Sequence, residues 1–168
     1  MQAGWVGMFV GVSDVFDWVL LAYRLPREPS TPRIALWRKL KRFGVAQLLD
    51  GLVTLPADAR TREQLEWVAD EIVVAGGSAS VWTARPTAAV QQRDIAAGMA
   101  AAITSEYLTV LASVDSAKTW AVVERRREYS RLQREVERIG RRDFFPPPER
   151  ETARRAVREL GVLVEADA

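Results

Sequence analysis

The 168-residue sequence predicts an α+β chain, a small four-stranded sheet domain followed by a run of helices. Three observations predict it. Short apolar or alternating runs closed by Pro, Asp-Gly or Arg-Pro lie at residues 18–23, 45–55 and 78–85, as strands require. Apolar residues at three- and four-residue spacing mark helices between these runs. Beyond residue 86 the helical spacing alone continues.

In chain order, Trp18–Tyr23 is a continuous apolar run ended by Arg24-Leu25-Pro26, the pattern of a buried strand. Ser30 and Thr31 offer a cap, and Pro32 suits the first helical position because its missing N–H would be unpaired there anyway. The helix predicted next reaches about Phe43. It carries Leu36, Trp37, Leu40 and Phe43 on one face and Arg33, Arg38, Lys39, Lys41 and Arg42 over much of the rest, and Gly44 stops it. Val45–Leu49 and Leu52–Leu55 are extended pieces around Asp50-Gly51, a hairpin or bend pair, and Pro56 closes the second. Thr61-Arg62-Glu63-Gln64 has the pattern of a capping box and opens a helix through Leu65, Val68, Ala69, Ile72 and Val73, ended by Gly76-Gly77. Ser78–Arg85 alternates as a strand. Strand, helix, two strands, helix, strand is a ferredoxin-like β-α-β-β-α-β order, assigned to residues 17–86.

Residues 87–168 read as a helical extension. Ile95, Met99, Ile103, Tyr107 and Val110 mark one helix. A second, predicted from about Ser116 to Ile139, carries Val122, Tyr129, Leu132, Val136 and Ile139 on a narrow seam, the last four at coiled-coil spacing. These two form the expected helical hairpin, the segment FFPPPER interrupts, and Arg150–Leu160 forms a short terminal helix. Residues 1–16 read as a leader or an added edge strand, with Met8 an alternative start. The run lacks a basic n-region and is broken by Asp14 and Asp17, so it suits neither a signal peptide nor a membrane span.

Composition bounds the chemistry. With no Cys and no His, thiolate or imidazole metal sites, Cys or Ser-His nucleophiles and thiol redox sensing are excluded. The expectation is a cytoplasmic protein with no cofactor, no resident metal and no membrane partner. The net charge of +2 conceals an asymmetry: residues 1–124 carry 12 basic and 13 acidic side chains, residues 125–168 carry 12 and 9, every basic one an Arg. Such asymmetry points to an anionic partner, most simply DNA.

Two groups of cations are candidates. Arg125, Arg127, Arg131, Arg134, Arg138, Arg141 and Arg142, with Arg38 and Lys41 from the first helix, are candidate DNA- or phosphate-binding residues. Arg131, Arg134, Arg138 and Arg141 share a face beside the apolar seam. Glu128 and Glu135 stand where they can pair with Arg131 and Arg138, which is the competing, purely structural reading. Arg24, Arg27 and Arg33 flank a turn into a helix and are the oxyanion candidates; a tetrahedral dianion suits forked guanidinium donors. Asp143 is expected to pair with an Arg while Phe144 and Phe145 anchor the chain. Trp37, Trp67, Trp82 and Trp120 are expected in the core.

The segments WVLLAYRLPREPSTPRIALWRKLKRFGVAQLLDGLVTLP, EQLEWVADEIVVAGGSASVW and RLQREVERIGRRDFFPPPERETA resemble the N-terminal domain of the ChrB family of chromate-resistance regulators, over about Asp17–Leu160. The resemblance implies a transcriptional regulator or accessory protein of a chromate-efflux operon; members typically continue into a second domain. A more distant likeness is to the middle domain of the PaaX repressors and, through it, to the ferredoxin-like nuclease-fold subunit of CRISPR spacer integration. There an Asp at the end of the first strand holds a metal. Here Ala22-Tyr23-Arg24 supplies no carboxylate, which argues against a metal-dependent nuclease.

The reading that follows is a cytoplasmic homodimer, not an enzyme, that acts in chromate resistance and binds DNA through its Arg-rich helical face. The alternative is a dimeric interaction or oxyanion-sensing module, taking chromate or a similar oxyanion without touching DNA. The nuclease is the least supported.

Overall fold

The computed structural model describes residues 16–166; the leader expected over residues 1–16 lies, but for Phe16, outside the described residues. The described chain is α+β: β1 (Trp18–Arg24), α1 (Thr31–Phe43), β2 (Ala46–Leu49), β3 (Leu52–Pro56), α2 (Ala59–Val74), β4 (Ser78–Ala84), α3 (Ala89–Ala117), α4 (Val122–Gly140) and α5 (Glu149–Ala166). Contacts divide it into a sheet unit, Met1–Pro26 with Gln47–Ile95, and a helical unit, Arg27–Ala46 with Ala96–Ala168.

In the sheet unit the strand order is β2-β3-β1-β4. Central β1 pairs antiparallel with β3, Leu20 opposite Thr54, and with β4, Leu20 opposite Trp82. The Asp50-Gly51 corner needs its glycine twice over. Gly51 has φ 76°, and a Cβ there would stand 2.4 Å from the Tyr23 carbonyl oxygen. The close approach lets Tyr23 N–H donate to Gly51 O at 2.7 Å. α2 packs on β1 and β4. Val19, Leu21, Val53, Leu55, Leu65, Val68 and Ile72 are buried there, each removal from water worth roughly 1.5–3 kcal/mol. The capping box of α2 sits three residues before the predicted one: Asp58 accepts from Thr61 N–H at 2.7 Å, and Thr61 Oγ1 accepts from Asp58 N–H at 2.9 Å. A short acidic residue serves as well as a hydroxyl at that position, and Asp58 begins the correct three-residue spacing.

The helical unit contains α1. Its N-cap, Ser30, makes no side-chain capping bond, contrary to expectation: its backbone is already helical (φ −74°, ψ −20°), whereas a capping residue is normally extended. Gly44 closes α1 in the left-handed region, φ 77°, its N–H reaching the Leu40 and Lys41 carbonyls. Helices α3, α4 and α5 share one core built from Ile103, Tyr107, Val110, Val114, Leu132, Val136, Ile139, Val157 and Leu160. By length and composition α3 could cross a membrane. Its buried residues Met99, Ile103, Tyr107, Val110 and Val114 nevertheless recur every three or four positions, as in a helix packed on other helices.

The helix predicted over Ser116–Ile139 is two pieces. α3 runs on to Ala117, Asp115 in its last turn pairs with Lys118 just beyond it at 2.7 Å, and the tight bonds Thr119 N to Ser116 O (3.4 Å) and Trp120 N to Ala117 O (3.1 Å) wind it down. Val122 therefore opens α4 and is exposed rather than part of the seam. α5 reaches Ala166, six residues beyond the short helix predicted, because Gly161 and Val164 continue its buried stripe. Trp67, Trp82 and Trp120, expected in the core, are 59%, 61% and 40% exposed: Trp67 and Trp82 lie on the outward faces of α2 and β4, and Trp120 lies in the turn between α3 and α4.

Candidate nucleic-acid interface

The apolar seam of α4 faces α3 and α5, so its opposite side carries the arginines outward. Leu132 and Ile139 are fully buried, which means that the seam is filled within the chain. One residue in each of the next turns away from it is acidic, and the consequence is electrostatic. Arg131 Nε and Nη2 donate to Glu128 at 2.8 and 2.5 Å. Arg138 binds Glu135 in the same two-pronged way, Nε at 2.9 Å, with Glu106 of α3 at 3.6 Å. These bonds hold the Glu128 and Glu135 carboxyls below the ordinary carboxylate range and raise both guanidinium groups. The i,i+3 pairs of the structural reading are thus both formed.

The remaining arginines differ. Arg142 leaves the surface: only 12% of its side chain is exposed, and it grips Glu106 with Nη1 at 2.7 Å and with Nη2. Arg125 is half-buried and donates to the Trp120 carbonyl at 2.9 Å, fixing the α3–α4 corner. Arg141 is exposed at the end of α4. Arg127 and Arg134 are exposed and, among the described residues, meet no carboxylate.

The structure brings the basic end of α1 to the end of α4. A Cβ at Gly44 would stand 2.8 Å from Arg142 Cβ, so the two segments touch there. Lys41 lies one turn before that contact, its Nζ 5.3 Å from the Trp37 ring centroid, and Arg38 is exposed one turn earlier. Two helix C-termini, each the negative end of its dipole, meet amid basic side chains.

The polar links beneath this surface were partly legible. Asp143 accepts from Tyr107 Oη–H at 3.0 Å and lies 3.7 Å from Arg150, so its expected Arg partner is present. Burial pushes the Asp143 carboxyl up, opposed by Tyr107 and Arg150, and pushes the Tyr107 phenol to about 12. Glu106 was not singled out, although a lone carboxylate in the Ala-rich stretch of α3 was the available signal. Of the oxyanion candidates, Arg24 ends β1 in the sheet unit; Arg33 Nη2 donates to the Arg27 carbonyl at 2.7 Å, tying the loop that precedes α1. The carboxylates nearest the first strand are engaged elsewhere: Asp17 pairs with Arg85 at 2.8 Å, and Asp50 accepts from Gln47 at 3.3 Å.

These features define an α+β chain with a helical unit that presents cations outward from α1 and α4 while its apolar seam is spent inside. The family described as "Protein ChrB, N-terminal" matches residues 33–128, more than half of the sequence. The chain belongs to that family, as the resemblance read from its residues indicated. Protein ChrB of Cupriavidus metallidurans is 29% identical over 133 residues, 77% of this chain and 40% of that protein. The chain thus spans about two fifths of the length of the curated relative it matches. No solved structure matches it.

Proposed function

We propose that this chain is a regulator or accessory protein of chromate resistance, a cytoplasmic binding protein and not an enzyme, that contacts DNA phosphates through α4. Family membership supports the first part. The second rests on one observation: Arg127 and Arg134 stand outward, without a carboxylate partner among the described residues, on a helix where Arg131 and Arg138 are locked to glutamates. Arg38 and Lys41 extend the surface. The sheet unit is read as ferredoxin-like, a reading supported by the strand order β2-β3-β1-β4. With the α4 seam filled internally, a homodimer would form through another surface.

The test is binding of the purified chain to its upstream promoter and to a scrambled duplex, at about 50 and 200 mM salt, with and without chromate. Promoter preference that survives the higher salt and responds to chromate is the expected result. Equal binding to both duplexes that collapses with salt is what phosphate contacts alone produce; it would leave a basic interaction module. No binding at either salt would refute the DNA reading.

A further inference from the structure

Trp120 stands at the α3–α4 corner, in a groove of ≈ 440 Å³ lined by Trp120, Glu124, Arg127, Glu128 and Arg131. The corner is held from two sides. Arg125 Nη2 donates to the Trp120 carbonyl at 2.9 Å, and Trp120 N–H donates to Ala117 O at 3.1 Å. An indole 40% exposed beside an arginine is an open stacking surface, not a core residue. Two of the charges lining the groove cancel, since Arg131 is bound by Glu128 at 2.5 Å. That leaves Arg127 and Glu124, one donor of positive charge and one hydrogen-bond acceptor, neither with a partner among the described residues.

A bare oxyanion would be repelled by Glu124, and a purely apolar ligand would strand both charges. A planar aromatic ring that carries an N–H donor and an attached phosphate satisfies all three groups. We infer that the groove at Trp120 receives an unpaired nucleobase, stacked on the indole, with its phosphate on Arg127 and an N–H on Glu124. A base inside a continuous duplex presents no free face, so the ligand is a nucleotide that is unpaired: extruded, single-stranded or free in solution. This rests on the nucleic-acid reading of α4 and adds to it a preference for unpaired bases.

The experiment compares two labelled duplexes of equal length, one fully paired and one with a single unpaired adenine, by fluorescence anisotropy at fixed salt. Wild-type chain should bind the bulged duplex about tenfold more tightly, since one base stacked on an aromatic ring is worth roughly that much. Trp120→Ala should erase the difference and Trp120→Phe should keep most of it, while Arg134→Gln should weaken both duplexes equally. Circular dichroism of each variant separates loss of the site from loss of the fold. A parallel titration with dAMP distinguishes the source: quenching of tryptophan emission that is lost in Trp120→Phe, with no preference for the bulged duplex, assigns the site to a free nucleotide. Equal binding of both duplexes together with no response to dAMP would overturn the inference and leave the phosphate contacts standing. Failure to bind either duplex would remove the underlying reading as well.

Discussion

Removing an acid from α4 should strengthen DNA binding, and the structure says which acid. Glu128 takes two hydrogen bonds from Arg131, at 2.8 and 2.5 Å, and neutralises it. Glu128→Gln keeps the shape of the side chain and releases Arg131 to the stripe formed with Arg127 and Arg134. One additional phosphate contact adds about 0.9 to the slope of log K against log salt. Between about 50 and 200 mM salt that contact is worth roughly 3.5-fold, and near physiological salt roughly fivefold in affinity. Conversely, Arg134→Gln should lower the slope by about 0.9. The decisive variant removes both partners: Glu128→Gln with Arg131→Gln deletes a neutral pair and should leave the slope where it began. Anisotropy titrations at four salt concentrations measure all three. The cost to the fold is small, since a helical ion pair of this kind contributes about 0.3–0.5 kcal/mol. If Glu128→Gln leaves the slope unchanged, or if deleting the pair weakens binding as much as Arg134→Gln, the division of the stripe into spent and available arginines is wrong.

Three further outcomes follow from packing and protonation. Gly44→Ala must hold an L residue at φ 77° with Cβ 2.8 Å from Arg142 Cβ, and should cost about 2 kcal/mol in urea unfolding. Gly161→Ala places a methyl 2.7 Å from Tyr129 Oη; helix propensity favours it by about 1 kcal/mol, but overpacking of about 1–3 kcal/mol should outweigh this, and a raised midpoint would refute the close contact of α4 and α5. The Tyr107 phenol is pushed from 10.0 to about 12. The folded state therefore holds that proton more tightly than the unfolded chain, so its stabilisation is complete below pH 10 and is lost between pH 10 and 12. The loss is at most about 3 kcal/mol, and Tyr107→Phe should flatten that part of the stability–pH profile.

Most of the element order was legible because it rests on local chemistry. Gly44 and Asp50-Gly51 punctuate the chain through backbone conformations that other residues adopt at a cost, and both positions show φ near 77°. The seam at Leu132, Val136 and Ile139 was legible from spacing. Its partner was not, since spacing cannot say whether a second copy or the chain's own α3 and α5 fills it. The stripe could be read as a stripe, but the state of each arginine depends on which carboxylate reaches it. Glu128 and Glu135 were visible as i,i+3 neighbours; Glu106, 36 positions before Arg142, was not. The tryptophans misled for a related reason. Trp67, Trp82 and Trp120 sit in amphipathic patterns, yet a pattern gives a period without fixing which phase is buried.

The division into units explains why the small overall charge says little about what the chain binds. The sheet unit carries 5 basic and 9 acidic side chains, the helical unit 19 and 13, so charges of −4 and +6 are hidden in a sum of +2. On the proposed reading, a polyanion would be drawn to the helical unit rather than to the sheet unit. Within α4 the locked pairs thin the charge further. Two arginines of the stripe without a carboxylate partner among the described residues, Arg127 and Arg134, are seven residues apart, about 10.5 Å along the helix axis. That is close to the roughly 12 Å width of a major groove, so the two can reach phosphates on either side of it. Five evenly charged arginines would hold any polyanion in any register. On the proposed reading, two held apart by the neutral Glu128–Arg131 pair, beside an exposed indole at the head of the helix, would select for spacing, with Glu128 silencing the arginine between them and Glu135 the one beyond.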